Sequence, residues 1–225
     1  RLSLSWTAGI SYFRRKDPRT FAELTAAERK LKMDKGILIV VSAPAGCGKD
    51  TILGEALAAN GNLFYSVSAT SRAMRPGETD GVSYHFRTRE QFEKMIADGE
   101  LLEYTQYCGN YYGTPKKAVE DMLAAGKDVI LKIEVEGAAN VKRIFPDCVM
   151  IFILPPSFEE LNRRLHKRGT EDEETILRRI ETAKRELTYA ENYDYLIVNG
   201  ELSEAVGDFL AAVSAEKNRT CRRKE

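Results

Sequence analysis

The chain has 225 residues, 43% hydrophobic and 30% charged, with 34 Lys and Arg balanced by 34 Asp and Glu. That length suits one compact domain with a sizeable core, at roughly 100–200 residues per domain. The balanced charge argues against a nucleic-acid or membrane-surface partner, and no apolar run approaches the ~20 residues needed to span a bilayer.

Residues 1–35 stand apart. They carry the basic run Arg14-Arg15-Lys16 and a plausible helix over residues 20–32, and Met33 comes just before the first core strand. They read as an extension, tag or fusion remnant, with Met33 a natural start. Asp17, Glu23 and Glu28 argue against a transit peptide, which is poor in acids.

From Gly36 onward, strand and helix signals alternate. Residues 37–41 (Ile-Leu-Ile-Val-Val) are a continuous apolar run, as expected of a strand buried on both faces of a parallel sheet. Residues 128–135 and 148–154 read the same way, and 196–198 are a shorter candidate. Helical patterns cover 49–59, 115–125, 137–145, 158–167, 173–190 and 203–216. The alternation predicts an α/β fold with a parallel core sheet. Thr114 reads as an N-cap with Pro115 at the first helical position. Thr88 with Gln91, and Ser157 with Glu160, have capping-box spacing, while Gly99 and Gly126 stand where a glycine ends a helix.

Residues 64–113 break the pattern. Short strand candidates at 64–68, 84–87, 101–107 and 111–112 are divided by turn signals at Pro76-Gly77, Asp80-Gly81 and Gly109-Asn110. This predicts a small, mostly antiparallel insertion. Cys47, Cys108, Cys148 and Cys221 form no C-x-x-C pair, and only His85 and His166 are there to join them. Free thiols in a reducing, cytoplasmic setting are expected.

Directly after the first strand comes Ala43-Pro44-Ala45-Gly46-Cys47-Gly48-Lys49-Asp50-Thr51, then a helix. Strand, glycine loop, lysine and helix form the layout of a phosphate-binding loop. Successive backbone N–H groups and the helix N-terminus face the anion, and Lys49 reaches the β- and γ-phosphates. The match to G-x-x-x-x-G-K-[ST] is imperfect: Ala43 replaces the first glycine and Asp50 the hydroxyl residue, with Thr51 one place later.

With the segments that follow, the chain from Gly36 to Leu210 resembles a guanylate kinase. Residues 42–49 (Ser-Ala-Pro-Ala-Gly-Cys-Gly-Lys) resemble the family's phosphate loop, and 66–78, from Ser66 through Arg72 and Arg75 to Glu78, its GMP-site signature. Tyr107-Cys108-Gly109-Asn110-Tyr111-Tyr112-Gly113-Thr114 is another close match. Pro155-Pro156-Ser157 with Arg164-Leu165-His166-Lys167-Arg168-Gly169-Thr170 resembles the lid. The resemblance implies a three-layer P-loop fold with a GMP-binding insertion and a helical lid. The implied divisions are a core of 36–63, 115–156 and 181–225, an insertion of 64–114 and a lid of 157–180. It implies transfer from ATP to GMP, with dGMP also accepted, and assigns Arg72, Arg75, Tyr84 and Tyr112 to the GMP phosphate.

The residues fit that chemistry. Arginine forks suit phosphate oxygens. Guanine offers N1–H and N2–H to a carboxylate, the role open to Glu103 or Glu134, and accepts at O6, the role open to Ser68; Thr114 is a further candidate. Adenine would leave such a pocket unpaired, and sites of this kind discriminate by ~10⁴–10⁵. Arg164, Arg168 and Arg179 are the expected catalytic arginines, the first two on one helical face. By the resemblance, Asn199 contacts the adenine of ATP. Mg²⁺ should bridge the ATP phosphates with few protein ligands. The family usually has an acid where Lys132 stands. A lysine cannot ligate the metal, so Asp50 and Thr51 are the candidate ligands.

Three rivals deserve weight: a non-catalytic interaction domain of the same family, a sugar-phosphate kinase of the same fold, and an AMP or UMP kinase. The first tends to lose the phosphate loop, whereas Gly46, Gly48 and Lys49 are present; the second would not need Ser68, Arg72, Arg75, Glu103 and Tyr112 together. The expected partners are ATP and GMP alone, without nucleic acid or membrane, for a monomer or small homo-oligomer.

Overall fold

The computed structural model describes residues 36–107, 109–167, 173–219 and 222; the 1–35 extension, with Met33, lies outside them. A five-stranded parallel sheet is ordered β2 (Leu63–Tyr65), β7 (Asp128–Lys132), β1 (Leu38–Ser42), β8 (Val149–Leu154), β9 (Tyr195–Val198). The register explains the unbroken apolar runs. Val40 lies opposite Leu131 and Met150, and all three join one core cluster. Ile39 lies opposite Ile130 and Val149, and these join the cluster on the other face. Both faces of the central strands β1, β7 and β8 are covered, so neither of their alternating sets meets water, whereas Leu196 and Val198 of the edge strand β9 are half exposed. Each fully buried Ile or Leu contributes ~2 kcal/mol.

On the first of these faces, Val119 of α3 (Lys116–Ala124) and Ala138 and Val141 of α4 (Val135–Ile144) pack against Val40 and Leu131. On the other lie α1 (Lys49–Ala59), α5 (Phe158–Lys167), α6 (Glu173–Leu187) and α7 (Leu202–Lys217), through Ile52, Leu161, Ile176 and Phe209. The result is the three-layer α/β arrangement expected from the alternation of signals. No helix among the described residues is long and apolar enough to cross a membrane.

The insertion forms a second sheet ordered β4 (His85–Phe86), β3 (Ala69–Thr70), β6 (Asn110–Pro115), β5 (Leu101–Tyr107). Two of its pairings are antiparallel; β3 with β4 is parallel. It also carries α2 (Arg89–Ala97), which begins with the expected Thr88–Gln91 capping box and is followed by Gly99 at φ 69°. Phe92 of this helix is fully buried and stacks on Tyr111 at 5.2 Å.

Several boundaries differ from the sequence reading. The strand expected over 128–135 stops at Lys132, because Glu134 turns the chain and Val135 already starts α4, burying its side chain. The helix expected to run to 190 ends at Leu187, and Ala190–Asn192 is a separate 3₁₀ turn. Thr114 is not an N-cap. Helix α3 starts at Lys116, Pro115 holds the cap position, and Thr114 is still in β6 with its hydroxyl directed at Glu103. Of the other expected box only the Ser157 half is seen, the Glu160 N–H donating to Ser157 Oγ at 3.1 Å, while the Glu160 carboxylate accepts from Arg163 and Arg164.

Candidate active site

The loop between β1 and α1 is built around Gly46 and Gly48, at φ 88° and 79°. Gly48 is the N-cap of α1, and a Cβ there would lie 2.3 Å from Asn199 Nδ2. Only glycine allows both the left-handed backbone and that approach. Asn199, buried after β9, donates from Nδ2 to the Cys47 carbonyl at 2.6 Å, so the last strand braces the loop. Arg164 Nη2 in turn donates to the Asn199 carbonyl at 3.3 Å, while its Nε donates to Glu160 at 2.7 Å. Burial pushes the Cys47 thiol up to about 12, which removes it as a nucleophile at neutral pH.

The loop lines a cavity of about 260 Å³ that also takes in Lys49, Asp50, Thr51, Thr182 and Glu186. The first amides of α1 and the Lys49 ammonium give this cavity the chemistry to accept an anion. A neighbouring cavity of about 410 Å³ is lined by Gly46, Gly48, Thr51, Arg164, Asn199 and Leu202, beside the outer side of the loop.

A third cavity, of about 250 Å³, lies where the insertion meets the ends of β7 and α4. Glu103 on β5 is buried within it, accepts from Thr114 Oγ1 at 2.8 Å, and lies close to Gly137, where a Cβ would meet Glu103 Oε2 at 3.0 Å. Burial raises the Glu103 carboxyl to about 7 against the opposing Thr114 hydrogen bond. Ser68, Arg75, Tyr84 and Tyr112 line the same cavity, as does Glu134. Arg72 is placed differently: its guanidinium grips Glu78 at 2.7 and 3.0 Å and donates to the Ala73 carbonyl, with the Tyr84 ring 5.5 Å away. Glu78 also accepts from the Arg75 N–H at 2.7 Å, which fixes the turn carrying both arginines.

The loop cavity and the Glu103 cavity share a wall made by Ala45, Tyr84, Tyr107, Lys132, Glu134 and Arg179. Lys132, at the C-terminal end of β7, donates to Asp50 Oδ1 at 2.6 Å and lies 5.4 Å from the Tyr65 ring centre. On the lining of the loop cavity, Glu186 is buried with Oε2 lacking a hydrogen-bond partner among the described residues. Burial, reinforced by the neighbouring charge of Glu134, raises its pKa.

The structure therefore gathers Ala43, Pro44, Ala45, Gly46, Cys47, Gly48, Lys49, Asp50 and Thr51 at one cavity. It gathers Ser68, Arg75, Tyr84, Glu103, Tyr112 and Glu134 at the other, with Thr114 behind Glu103 and Arg179 on the shared wall. Arg168 lies outside the described residues. Sequence reasoning singles out neither Gly137 nor Glu186, because each reads as an ordinary helix position and only the packing places Gly137 against the Glu103 carboxylate and Glu186 at the loop cavity.

Residues 35–216 match the family model described as guanylate kinase. A guanylate kinase of Desulfitobacterium hafniense is 51% identical over 193 residues, covering 86% of this chain and 96% of that protein. One from Carboxydothermus hydrogenoformans is 54% identical over 185 residues, covering 82% and 91%. Among solved structures, a guanylate kinase from Anaplasma phagocytophilum superposes with a TM-score of 0.70 at 35% identity, covering 84% of this chain and 90% of that one.

Proposed function

Since the chain belongs to the guanylate kinase family, and so moves the γ-phosphoryl of ATP onto GMP, we propose that the glycine-loop cavity holds the donor phosphates and the Glu103 cavity the acceptor. The reading rests chiefly on the shared wall: two polar cavities, one built of loop amides and Lys49, the other around a buried carboxylate, adjoin at one side. Phosphoryl transfer needs that juxtaposition and little covalent chemistry from the protein.

In this reading the amides of Ala43 to Thr51 and the Lys49 ammonium bind the β- and γ-phosphates. Asn199 and Arg164 flank the nucleoside in the adjoining cavity. Arg75, Tyr84 and Tyr112 take the GMP phosphate, joined by Arg72 when it leaves Glu78. The Glu103 carboxylate accepts from guanine N1–H and N2–H, Ser68 donates to O6, and Thr114 holds Glu103 while Glu134 lies at the edge of the base. Residues 64–114 then form the GMP-binding part, 157–180 the lid, and the remainder from Gly36 the core. Arg164 and Arg179, with Arg168 by the same resemblance, converge on the phosphates as the lid closes and water is excluded. Deoxy-GMP fits the same contacts, none of which involves the ribose. The free thiols of Cys47 and Cys148 suit a reducing compartment such as the cytoplasm, and the site needs no more than one copy of the chain.

Mg²⁺ belongs with ATP. Among the described residues no group of three His, Cys, Asp or Glu side chains could hold a metal. Asp50, an exposed carboxylate, and the Thr51 hydroxyl border the phosphate cavity in the first turn of α1, and the exposed Glu134 lies on its shared wall. That sparse donor set fits an ion that keeps several waters and takes its other ligands from phosphate. Bound there, it would neutralise charge on the β- and γ-oxygens.

The test is a coupled ADP-release assay with ATP against GMP, dGMP, AMP and UMP, for the parent chain and for Lys49→Ala. Turnover with GMP should exceed that with AMP by about 10⁴ or more in kcat/KM. Lys49→Ala should lose at least about 10² in kcat with an unchanged melting temperature. Comparable use of AMP and GMP would refute the base-reading role of the Glu103 cavity. A near-normal Lys49→Ala would refute the donor assignment.

A further inference from the structure

The wall between the two cavities carries a charge that the roles above leave unused. Whatever group passes from the loop cavity to the Glu103 cavity must cross the six residues common to both. Among the described residues on that wall, two are cations: Arg179, already expected to act, and Lys132. The Lys132 side chain is one-quarter exposed, enough to face the cavities and too little for its charge to be fully hydrated. Its ammonium has three N–H donors. One points at Asp50 Oδ1 at 2.6 Å, and Asp50 itself is largely exposed. The carboxylate can therefore exchange the lysine for water or metal at little cost, while the lysine, rooted at the end of β7, stays beside the transfer line.

We propose that Lys132 is a further catalytic residue of this enzyme, one that donates to the equatorial oxygens of the phosphoryl group as it crosses between the nucleotides. The inference rests on the functional reading above. In the step itself, an oxygen of the ionised GMP phosphate forms a bond to Pγ. The bond from Pγ to the β,γ-bridging oxygen breaks, and its electron pair leaves with ADP. Lys132 keeps its proton throughout and supplies charge and hydrogen bonds only. Charge in this transition state is spread over the equatorial oxygens, where a pre-placed cationic donor acts more strongly than on either ground state. Lys132 thus works from the wall common to both cavities, beside the loop that carries Lys49. The Asp50 contact keeps its charge compensated before the nucleotides arrive.

The prediction separates kcat from KM. Lys132→Met and Lys132→Gln, both neutral and of similar length, should lower kcat by about 30–300-fold while KM for ATP and for GMP stays within about threefold. Lys132→Arg, which retains the charge, should recover at least about a tenth of parental kcat. A binding readout avoids turnover altogether. The thermal shifts given by ATP alone and by GMP alone should be unchanged in Lys132→Met. The shift given by an adenosine–polyphosphate–guanosine compound, whose phosphates span the wall, should fall clearly below that of the parent. A kcat within about threefold of the parent in both neutral variants, or a loss confined to the KM of one nucleotide, would overturn the proposal. The parent's preference among monophosphates tests the functional reading separately, since Lys132 acts on the travelling phosphoryl whichever acceptor receives it.

Discussion

Thr114 Oγ1 donates to Glu103 Oε1 at 2.8 Å, and both residues are buried. The hydroxyl favours the ionised carboxyl, burial disfavours it, and burial wins: the pKa rises from an ordinary 4.5 to about 7. For an acid raised in this way, the folded unliganded protein prefers the proton. The resulting stabilisation is complete below the unfolded value near 4.5 and is lost as pH climbs through about 7. Guanine reverses the preference, because N1–H and N2–H need acceptors. GMP binding should therefore release a proton near neutrality, and KM for GMP should rise as pH falls below about 7, approaching tenfold per unit. Glu103→Gln serves as the control, since it keeps the titration of the GMP phosphate (pKa ~6) and removes that of the carboxyl. Identical pH profiles for the parent and Glu103→Gln would count against Glu103 as the base reader.

Gly137 offers a test of the same carboxylate from the other side. It sits in the first turn of α4, buried, and its φ is unremarkable, so alanine is allowed by the backbone. Alanine would gain up to ~1 kcal/mol of helix propensity. Its Cβ, however, would stand 3.0 Å from Glu103 Oε2, and 3.6 Å from both Glu103 Cδ and Ile133 Cδ1. The carboxylate must yield by a few tenths of an ångström, in a pocket where position decides which donors it meets. Gly137→Ala should keep or slightly raise the melting temperature and raise KM for GMP by about 3–10-fold, with KM for ATP unchanged. Unaltered GMP kinetics would show that the Glu103 carboxylate has room to spare.

How much of this was legible in the sequence depends on the range of the interactions involved. Residues 37–41 announced a doubly covered strand because both alternating sets are apolar, and the register with β7 and β8 gives each set its own cluster. Helices α1 and α5 matched their expected limits, the first because the glycine loop and Asn60-Gly61 bracket it, the second because a strong apolar stripe and the Ser157 cap define it. The two-residue strand β3 was missed because two residues carry no period. Thr114 reads as a cap in sequence because Thr-Pro is a local signal. Its actual partner, Glu103, lies eleven positions away across the β5–β6 pairing. The chemical types needed at the site were readable. The Lys132–Asp50 contact over 82 positions and the placing of Gly137 against Glu103 are tertiary, and no window of sequence contains them, whereas Arg72 and Glu78 stand six apart in one motif and only the turn between them decides that they pair.

At the opposite end of β7 from Lys132, Asp128 is 1% exposed and holds the sheet edge together. It accepts from the Ile37 N–H at 3.2 Å, from Asn62 Nδ2 at 2.9 Å and from Lys217 Nζ at 2.8 Å. These contacts tie the start of β1, the approach to β2 and the end of α7 to one carboxylate. A buried charge is tolerable here because three donors replace its water. Asp128→Ala removes the acceptor and leaves a partly buried ammonium and an amide N–H without it. The expected loss is about 3 kcal/mol, seen as a lower urea midpoint at constant m. Activity per folded molecule should be unaffected, because both cavities open at the other end of the strand. A loss below about 1 kcal/mol would mean that water enters the gap and satisfies the three donors, and that the strand ends are held by apolar packing alone.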